Sequence, residues 1–393
     1  MRPVIAVKAG NPRNIQTLED LLREDVKLAL ANPDAASVGK QTQELLAEHG
    51  LWERAEAAVR DRGVFKPTVN ELAMDVKIGS ATAAIVWDSI AAQYPELEAI
   101  AIAGASTVDI SIGVLDWCAN PRRALHFCRY LSAPEKGGRI FEQMGFAPIP
   151  GDAWADEPEI VYFSGTVNRL AIQDSIREFE EREGVRFTTV FNGCGILVGQ
   201  MKSGGYCDAY QSCDESFLPP VASLFDGFAE VSQMEIVIAT RKGNPKGIRS
   251  VEDLTREGIK IGVCNEQLSA LGALTAHLLD AMGLKERVMA NVVVQQAVGD
   301  MLVAQLVAGD LDAVIVYSAN IATRRDSVDS LPIGDEGARA LQTFSIRSES
   351  RYKNILRRFF EKLKSDVSLQ RYEDASFTVL LKNSSLPDEK KHD

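Results

Sequence analysis

Hydroxyl, amide and thiol side chains recur where apolar runs of this 393-residue chain give way to helical patterns. Ser164-Gly165-Thr166 follows the run Glu159-Ile160-Val161-Tyr162-Phe163, and Asn192-Gly193-Cys194-Gly195 follows Val185 to Phe191. A third such turn, Asn265 to Gly272, follows Ile259 to Val263. The first turn of a helix presents amide N–H groups with no intrahelical partner and carries partial positive charge. Several such turns facing one crevice would hold a small anion through neutral donors. A single Ser-Gly-Thr is more often a helix cap; the anion chemistry gains its weight from their number. Catalytic patterns are missing. His49, His126, His277 and His392 have no metalloprotease spacing, and there is no nucleophile triad, P-loop or dinucleotide fingerprint. The acids from Glu178 to Glu183 read as a solvated helix face, and Asp214 as structural. The expectation is a binding protein with no cofactor and no enzymatic activity.

The elements that must position these turns follow from periodicity. Val167, Leu170, Ile176 and Phe179 share one helical face, and Gly184 stops that helix. Further helices are expected over 196–202, 273–282, 297–308 and 356–364. Strands are expected over 208–212, 234–240 and 312–317. Strands alternating with helices make an α/β fold whose ligand crevice lies at the carboxyl ends of the strands. With 43 basic and 55 acidic residues the net charge is −12, which argues against nucleic acid as partner. No run of ~18–20 apolar residues would span a membrane, and the start shows no secretory signal. Six cysteines in a chain of this length do not form a disulfide scaffold.

The chain also repeats itself. Gly10-Asn11-Pro12 recurs as Gly243-Asn244-Pro245, an offset of 233, and Glu19-Asp20-Leu21 recurs as Glu252-Asp253-Leu254. Near the end of the unit, Gly79 meets Gly309 and Ile85-Val86 meets Ile315-Val316, at an offset of 230. A duplicated unit is expected, with residues 1–150 a partial copy, 151–157 a linker, 158–382 a complete copy and 383–393 a disordered tail. The block from Glu157 to Met234 has no counterpart before the first Gly-Asn-Pro, so either the first copy is a remnant or, the favoured expectation, the natural start lies upstream of residue 1. That would also account for the lack of a signal.

In order and spacing these elements resemble the type II periplasmic solute-binding proteins, in particular the molybdate/tungstate-type binding proteins of ABC importers. The similarity rests on Ser164-Gly165-Thr166, Phe191 to Leu197, Cys207 to Asp214, Gly243-Asn244-Pro245 and Gly309 to Tyr317. In the first copy it rests on Val108 to Leu115, Asn120-Pro121, Ala124 to Leu131, Ser132 to Glu135 and Gly145-Phe146-Ala147-Pro148. It implies two Rossmann-like lobes joined by a two-strand hinge and closing on a small oxyanion. It further implies an ABC importer membrane subunit as partner, and a periplasmic or extracellular location. Carried over by position, the ligand residues would be Ser164, Gly165, Cys194, Ser269, Ala270, Gly299 and Tyr317. Ser37, Val69 and Trp87 would be degenerate counterparts in the first copy, which is not expected to bind because Asp34 adds negative charge there and one wall is missing. Cys194 departs from the family's serine, and Ala270-Leu271-Gly272 from its usual Pro-Ala-Gly.

The same resemblance brings Cys194, Cys213 and Cys264 near one cleft, with a soft-metal or thiol-reactive oxyanion site as the alternative chemistry. Small buried residues standing in for serine and alanine are the blander reading. A ligand-sensing regulatory module of the same fold is a further alternative.

Overall fold

The structure is a computed structural model that describes residues 1–335 and 337–387. It divides into two compact units, Met1–Cys118 with Phe127–Trp154, and residues 119–126 with the chain from Ala155 onward. Residues 151–154, expected in a linker, belong to the first unit: the Gly151 amide donates to the Ser132 carbonyl at 3.0 Å, and Trp154 meets Tyr130 edge to face.

The first unit is built on strands β1 (Pro3–Lys8), β2 (Leu28–Ala31), β3 (Val64–Lys66), β4 (Ala83–Trp87) and β5 (Leu97–Ala101), in spatial order β3-β2-β4-β1-β5. Helices α1 (Ser37–Glu48), α2 (Trp52–Arg62), α3 (Val69–Ile78) and α4 (Asp88–Ala91) connect or flank them, followed by the second half of α5 (Pro121–Ser132), whose first six residues are grouped with the second unit, and by α6 (Arg139–Gln143). One apolar cluster around Ile5, Leu30 and Ile85 and another around Ala6, Ala84 and Leu72 fill the two faces of this sheet. Strands buried on both faces read as near-continuous apolar runs, as β4 does.

The second unit contains two lobes. Strands β6 (Glu159–Gly165), β7 (Arg186–Asn192) and β8 (Ala209–Gln211), with helices α7 (Arg169–Glu183) and α8 (Cys194–Lys202), form the first lobe. Strand β9 (Ala229–Arg241) then runs through both lobes. The second lobe adds β10 (Ile261–Cys264), α9 (Ala270–Ala281), α10 (Lys285–Met289), β11 (Val292–Gln296), α11 (Gly299–Ala308), β12 (Ala313–Tyr317) and β13 (Val328–Pro332). The chain returns to the first lobe as β14 (Arg339–Ile346), α12 (Lys353–Leu363), α13 (Asp366–Asp374) and β15 (Thr378–Val379). β9 pairs with β14 and β15 in its first half and with β12 and β13 in its second, so its 13 residues tie the lobes together. The return from β13 to β14 is the second crossing. These two crossings are the hinge that the resemblance implies.

The five strands of the second lobe repeat the order of the first unit's sheet, β11-β10-β12-β9-β13. Register matches too: Pro3 pairs with Trp87 as Ile236 pairs with Tyr317. Both Gly-Asn-Pro turns fold alike. Gly10 and Gly243 lie at φ 80° and 81°, a conformation glycine adopts freely. The Asn11 amide group donates to the Ile15 carbonyl at 2.7 Å, and that of Asn244 donates to Ile248 at 2.6 Å.

Two expectations for charged and terminal segments change. Glu183 is fully buried, 3.0 Å from Arg358 and 3.2 Å from Arg182, and Glu178 is bound by Arg371 and Lys362. That face of α7 is the seat of α12 and α13, so Glu178 and Glu183 are paired across helices, while Glu180 accepts from the Phe187 amide and Glu181 stays exposed as expected. Asn383, expected to open a disordered tail, closes a short 3-10 turn over Leu381–Asn383, and Arg357 donates to the Pro387 carbonyl at 3.2 Å. The rest of that tail, 388–393, lies outside the described residues.

Closure of the lobes depends on two glycines. A Cβ at Gly195 would run into the Gln267 carbonyl oxygen, and one at Gly193 would lie 2.5 Å from the Leu268 carbonyl oxygen. Gly195→Ala should disfavour the closed arrangement by about 1–3 kcal/mol, roughly a five- to 150-fold shift toward separated lobes. Small-angle scattering of the full chain should show a larger radius of gyration than wild type, with unchanged far-ultraviolet dichroism; identical scattering curves would refute the contact. The Glu178 carboxyl is held down at about 2 by hydrogen bonds from Arg371 and then Lys362. Such a carboxylate contributes stability that is fully present above its ordinary value near 4.5 and lost as pH falls toward 2. Glu178→Gln should therefore lower the urea midpoint at pH 7, and the gap from wild type should shrink as pH is lowered from 4.5 toward 2. A gap independent of pH would contradict the assignment.

Candidate functional site

Four chain segments that begin helices meet where the lobes of the second unit face each other. From the first lobe come Thr166 and Val167, which open the turn leading into α7, and Asn192 and Gly193, which immediately precede α8. From the second come Ser269, the residue before α9, and Gly299, the first residue of α11. Ser269 and Val298 have extended backbones (φ −138° and −137°), so each breaks the helical run and turns the following amides toward the cleft. Leu271, Ala297, Val298, Tyr317, Asn320 and Cys213 complete the wall. None of these side chains is charged.

The space between these walls is about 20 Å³ and partly open to one side, room for one water-sized body. A larger solute therefore enters only when the lobes part. The Tyr317 hydroxyl is buried and has no hydrogen-bond partner among the described residues. Burial pushes its pKa well above the usual phenol value, so it stays protonated and able to donate. Its position is fixed by a second contact: the Tyr317 amide donates to Asn320 Oδ1 at 3.1 Å, while Asn320 Nδ2 donates to Asp300 at 2.9 Å. Gly299 must lack a side chain because a Cβ there would lie 2.5 Å from Asn320 Oδ1. Beside this enclosure a wider cavity of about 200 Å³ carries Arg169 and Arg324 together with Asp300. These cations stand at the approach and not in the enclosure itself.

Of the residues expected from sequence, Ser269, Gly299 and Tyr317 line the enclosure. Ser164, Gly165, Cys194 and Ala270 do not. Ser164 is wholly buried behind it, where its hydroxyl accepts from Asn168 Nδ2 at 3.4 Å. Thr166, two residues on, reaches the cleft instead. Cys194 also faces inward: its sulfur accepts from the Cys213 amide at 3.0 Å, and it is Cys213 that touches the enclosure. Ala270 is buried as the first residue of α9 while its neighbour Leu271 lines the wall. Thr166, Asn192, Gly193 and Asn320 also line this space and were not anticipated, whereas Cys213 was placed near the cleft only in the thiol or metal alternative. For Asn320 the local signal was an amide side chain three residues past a strand end, in reach of the backbone it caps.

The three-cysteine metal alternative does not survive. Among the described residues no three His, Cys, Asp or Glu side chains come together to hold a metal ion. Cys264 is buried at the end of β10, its thiol pushed up to about 12 by burial. Asp214 is structural: it accepts from the Ser216 amide at 3.0 Å and from the Leu341 amide at 3.1 Å.

In the first unit, Ser37 opens α1 behind Ala36, which holds the position corresponding to Ser269. Val69 opens α3, whose preceding residue, Thr68, is engaged by the Glu71 amide at 3.4 Å and donates to the Glu71 carboxylate at 2.9 Å. That carboxylate occupies the positive end of the helix. Trp87 takes the place of Tyr317 at the end of β4, largely buried. Among the described residues no helix is long and apolar enough to cross a membrane.

Comparison with known proteins agrees with this architecture. The family model for bacterial extracellular solute-binding proteins matches residues 1–147 and 160–378. A putative binding protein of Haemophilus influenzae is 21% identical over 221 residues, which are 56% of this chain and 90% of that relative. The molybdate-binding protein ModA of Mycobacterium tuberculosis is 31% identical over 172 residues, 42% of this chain and 64% of the relative, so the chain spans less than two thirds of its length. Among solved structures, the Azotobacter vinelandii periplasmic molybdate-binding protein aligns with 58% of this chain and 100% of its own, at 16% identity and a TM-score of 0.48. The sulfate-binding protein SubI of M. tuberculosis aligns with 57% of this chain and 88% of its own, at 17% identity and a TM-score of 0.49. With its model matched over most of its length, this chain belongs to the bacterial extracellular solute-binding protein family.

Proposed function

We propose that the second unit captures a small tetrahedral oxyanion of the molybdate or tungstate kind between its lobes and delivers it to the membrane subunit of an ABC importer. The observation that carries this is the uncharged enclosure: helix-opening turns from both lobes, a serine, a threonine and an unpartnered tyrosine hydroxyl, with no countercharge. An anion held this way gains from each donor because its charge strengthens every hydrogen bond, and it is the same chemistry whichever tetrahedral oxyanion enters. Arg169 and Arg324 at the approach raise the local anion concentration without occupying the enclosure. Discrimination then rests on the size that the closed lobes admit. The relatives named for molybdate and sulfate binding support this class of ligand. Such a protein acts in the periplasm or outside the cell.

We further infer that the chain arose by duplication of one unit. The shared strand order, register and Gly-Asn-Pro turn support this, while Ala36, Trp87 and the Glu71-capped α3 leave the first unit without the donors of the second. Anion binding is assigned to the second unit alone.

The test is a thermal-shift panel of molybdate, tungstate, sulfate and phosphate on the full chain, followed by calorimetry of whichever anion stabilises it. Tyr317→Phe and Ser269→Ala should each weaken that anion roughly 10- to 100-fold, the worth of one hydrogen bond to a charged group at about 1.5–3 kcal/mol. If none of the four anions raises the melting temperature, the reading fails. Wild-type affinity in Tyr317→Phe would remove the hydroxyl from the site.

A further inference from the structure

The sulfurs of Cys194 and Cys213 are 2.7 Å apart, in direct contact, and both thiols are free. Their backbone setting is built. Cys194 is the first residue of α8, a nine-residue helix, and the Cys213 amide donates to its sulfur at 3.0 Å. Gly165 makes room for the pair, since a Cβ there would run into Cys213 Sγ and lie 3.2 Å from Cys194 Sγ. The two thiols are also unequal. Burial would raise Cys194, but hydrogen bonds from the Cys213 thiol and amide outweigh it and bring it below the ordinary thiol range. Cys213 is pushed well above that range, by its hydrogen bond to Cys194 and by burial. A lowered thiol at a helix N-terminus is the nucleophile of a reactive pair, and its raised neighbour the resolving group.

Position gives the pair its meaning. Cys213 lines the enclosure, while Cys194 is wholly buried beneath it, next to Gly193 and Gly195, which press on the second lobe. With the lobes as they stand, Cys194 is wholly buried and Cys213 is 6% exposed. The remaining cysteines are placed differently: Cys207 is buried against Met201, Cys264 lies in the second lobe, and Cys118 and Cys128 are in the half-exposed class.

We propose that Cys194 and Cys213 form a dithiol modification site inside the anion cleft, oxidised to a disulfide when the lobes are open and shielded when they close. With a small disulfide R–S–S–R as oxidant, the Cys194 thiolate attacks one sulfur, forming Cys194–S–S–R and releasing RS⁻. The Cys213 sulfur, giving up its proton, then attacks Cys194 Sγ and releases the second RS⁻. The two thiol protons end on the two released thiolates, so two thiols and R–S–S–R become one intramolecular disulfide and two R–SH. The shielding half of this proposal rests on the anion reading; the disulfide itself does not.

The experiment uses the full chain with Cys118→Ser and Cys128→Ser, which removes the half-exposed thiols, and oxidised glutathione as the reagent. Four titratable thiols should fall to two, the mass should drop by about 2 Da as two hydrogens leave, and peptide mapping should join residue 194 to residue 213. Four thiols remaining, a stable glutathione adduct, or a link through Cys207 or Cys264 would overturn the site. In a second arm, saturating molybdate should slow the loss of thiols at least tenfold. If molybdate raises the melting temperature yet leaves that rate unchanged, shielding by closure is wrong. If the 194–213 link forms but no anion stabilises or protects the protein, the anion reading fails and the dithiol stands. In saturating molybdate, Gly195→Ala, which holds the lobes apart, should form the link faster than the parent chain; an equal or slower rate there would also count against gating by closure.

Discussion

Helix N-termini repel one another. Each carries roughly half a positive charge spread over amides that have no partner within the helix, and here such turns from both lobes point into a space of about 20 Å³. Drawn together alone, they would leave donors desolvated and unpaired, at about 1–3 kcal/mol for each unmet group. A negative solute between them reverses the sign of every term. Binding and closure are then one event. The protein needs no cation in the enclosure, and a buried lysine or arginine would attract monovalent and divalent anions of any shape. In the proposed anion site, neutral donors would leave selectivity to geometry, with the unpartnered Tyr317 hydroxyl among the donors on offer.

That requirement explains why backbone, rather than side chains, dominates the contact between the lobes. Gly193 and Gly195 bring the start of α8 against carbonyls of residues 267, 268 and 297, where any Cβ would intrude. The hinge answers to the same demand. β9 is a single strand hydrogen-bonded to strands of both lobes, so the lobes join at its middle and at the return from β13 to β14. The Ile236 amide, at that midpoint, donates to the Ala338 carbonyl at 2.8 Å, tying the two crossings together where they pass. A hinge braced in this way limits the motion to opening and closing.

Strand-to-helix turns were legible in the sequence because their chemistry is local. An apolar run ending in Ser, Gly or Asn and followed by a 3.6-residue period admits few other structures, and β6, α7, β7, α8, β10 and α9 fall within a few residues of expectation. β14 was not foreseen. Its sequence, Arg-Ala-Leu-Gln-Thr-Phe-Ser-Ile, mixes polar and apolar residues, yet Gln342, Thr343 and Ser345 are all fully buried. For two of them burial is offset by distant partners: Gln342 Oε1 accepts from Ser232 at 2.9 Å, Gln342 Nε2 donates to the Cys213 carbonyl at 2.9 Å, and Thr343 meets Ser212 at 2.8 Å, while the Ser345 hydroxyl has no partner among the described residues. Pattern reading assigns buried strands by their apolarity and is blind to a core strand satisfied by long-range hydrogen bonds. The site was half legible for a related reason. The turns could be found, but which residue of each turn faces the cleft depends on strand parity and on the approach angle of the next helix. Hence Ser164 was chosen where Thr166 reaches the wall, and Cys194 where Cys213 does.

The same long-range polar network gives the cleft its rigidity on the first-lobe side. The Tyr162 hydroxyl donates to Gln211 Oε1 at 2.5 Å and Gln211 Nε2 donates to the Tyr372 hydroxyl at 3.0 Å, joining β6, β8 and α13 through the core. Asn168 Nδ2, at the start of α7, donates to the Ser212 carbonyl at 3.2 Å and so fixes that helix start to the segment carrying Cys213. A ligand gripped by backbone amides gains only if those amides are already in place, since ordering them on binding would cost about 1–2 kcal/mol per residue. Buried hydrogen bonds are modest in net stability but leave few alternative arrangements for the groups they join. The polar residues sunk into this lobe therefore serve position more than stability: they hold Thr166, Gly193 and Cys213 where a second lobe, arriving by rotation, can meet them.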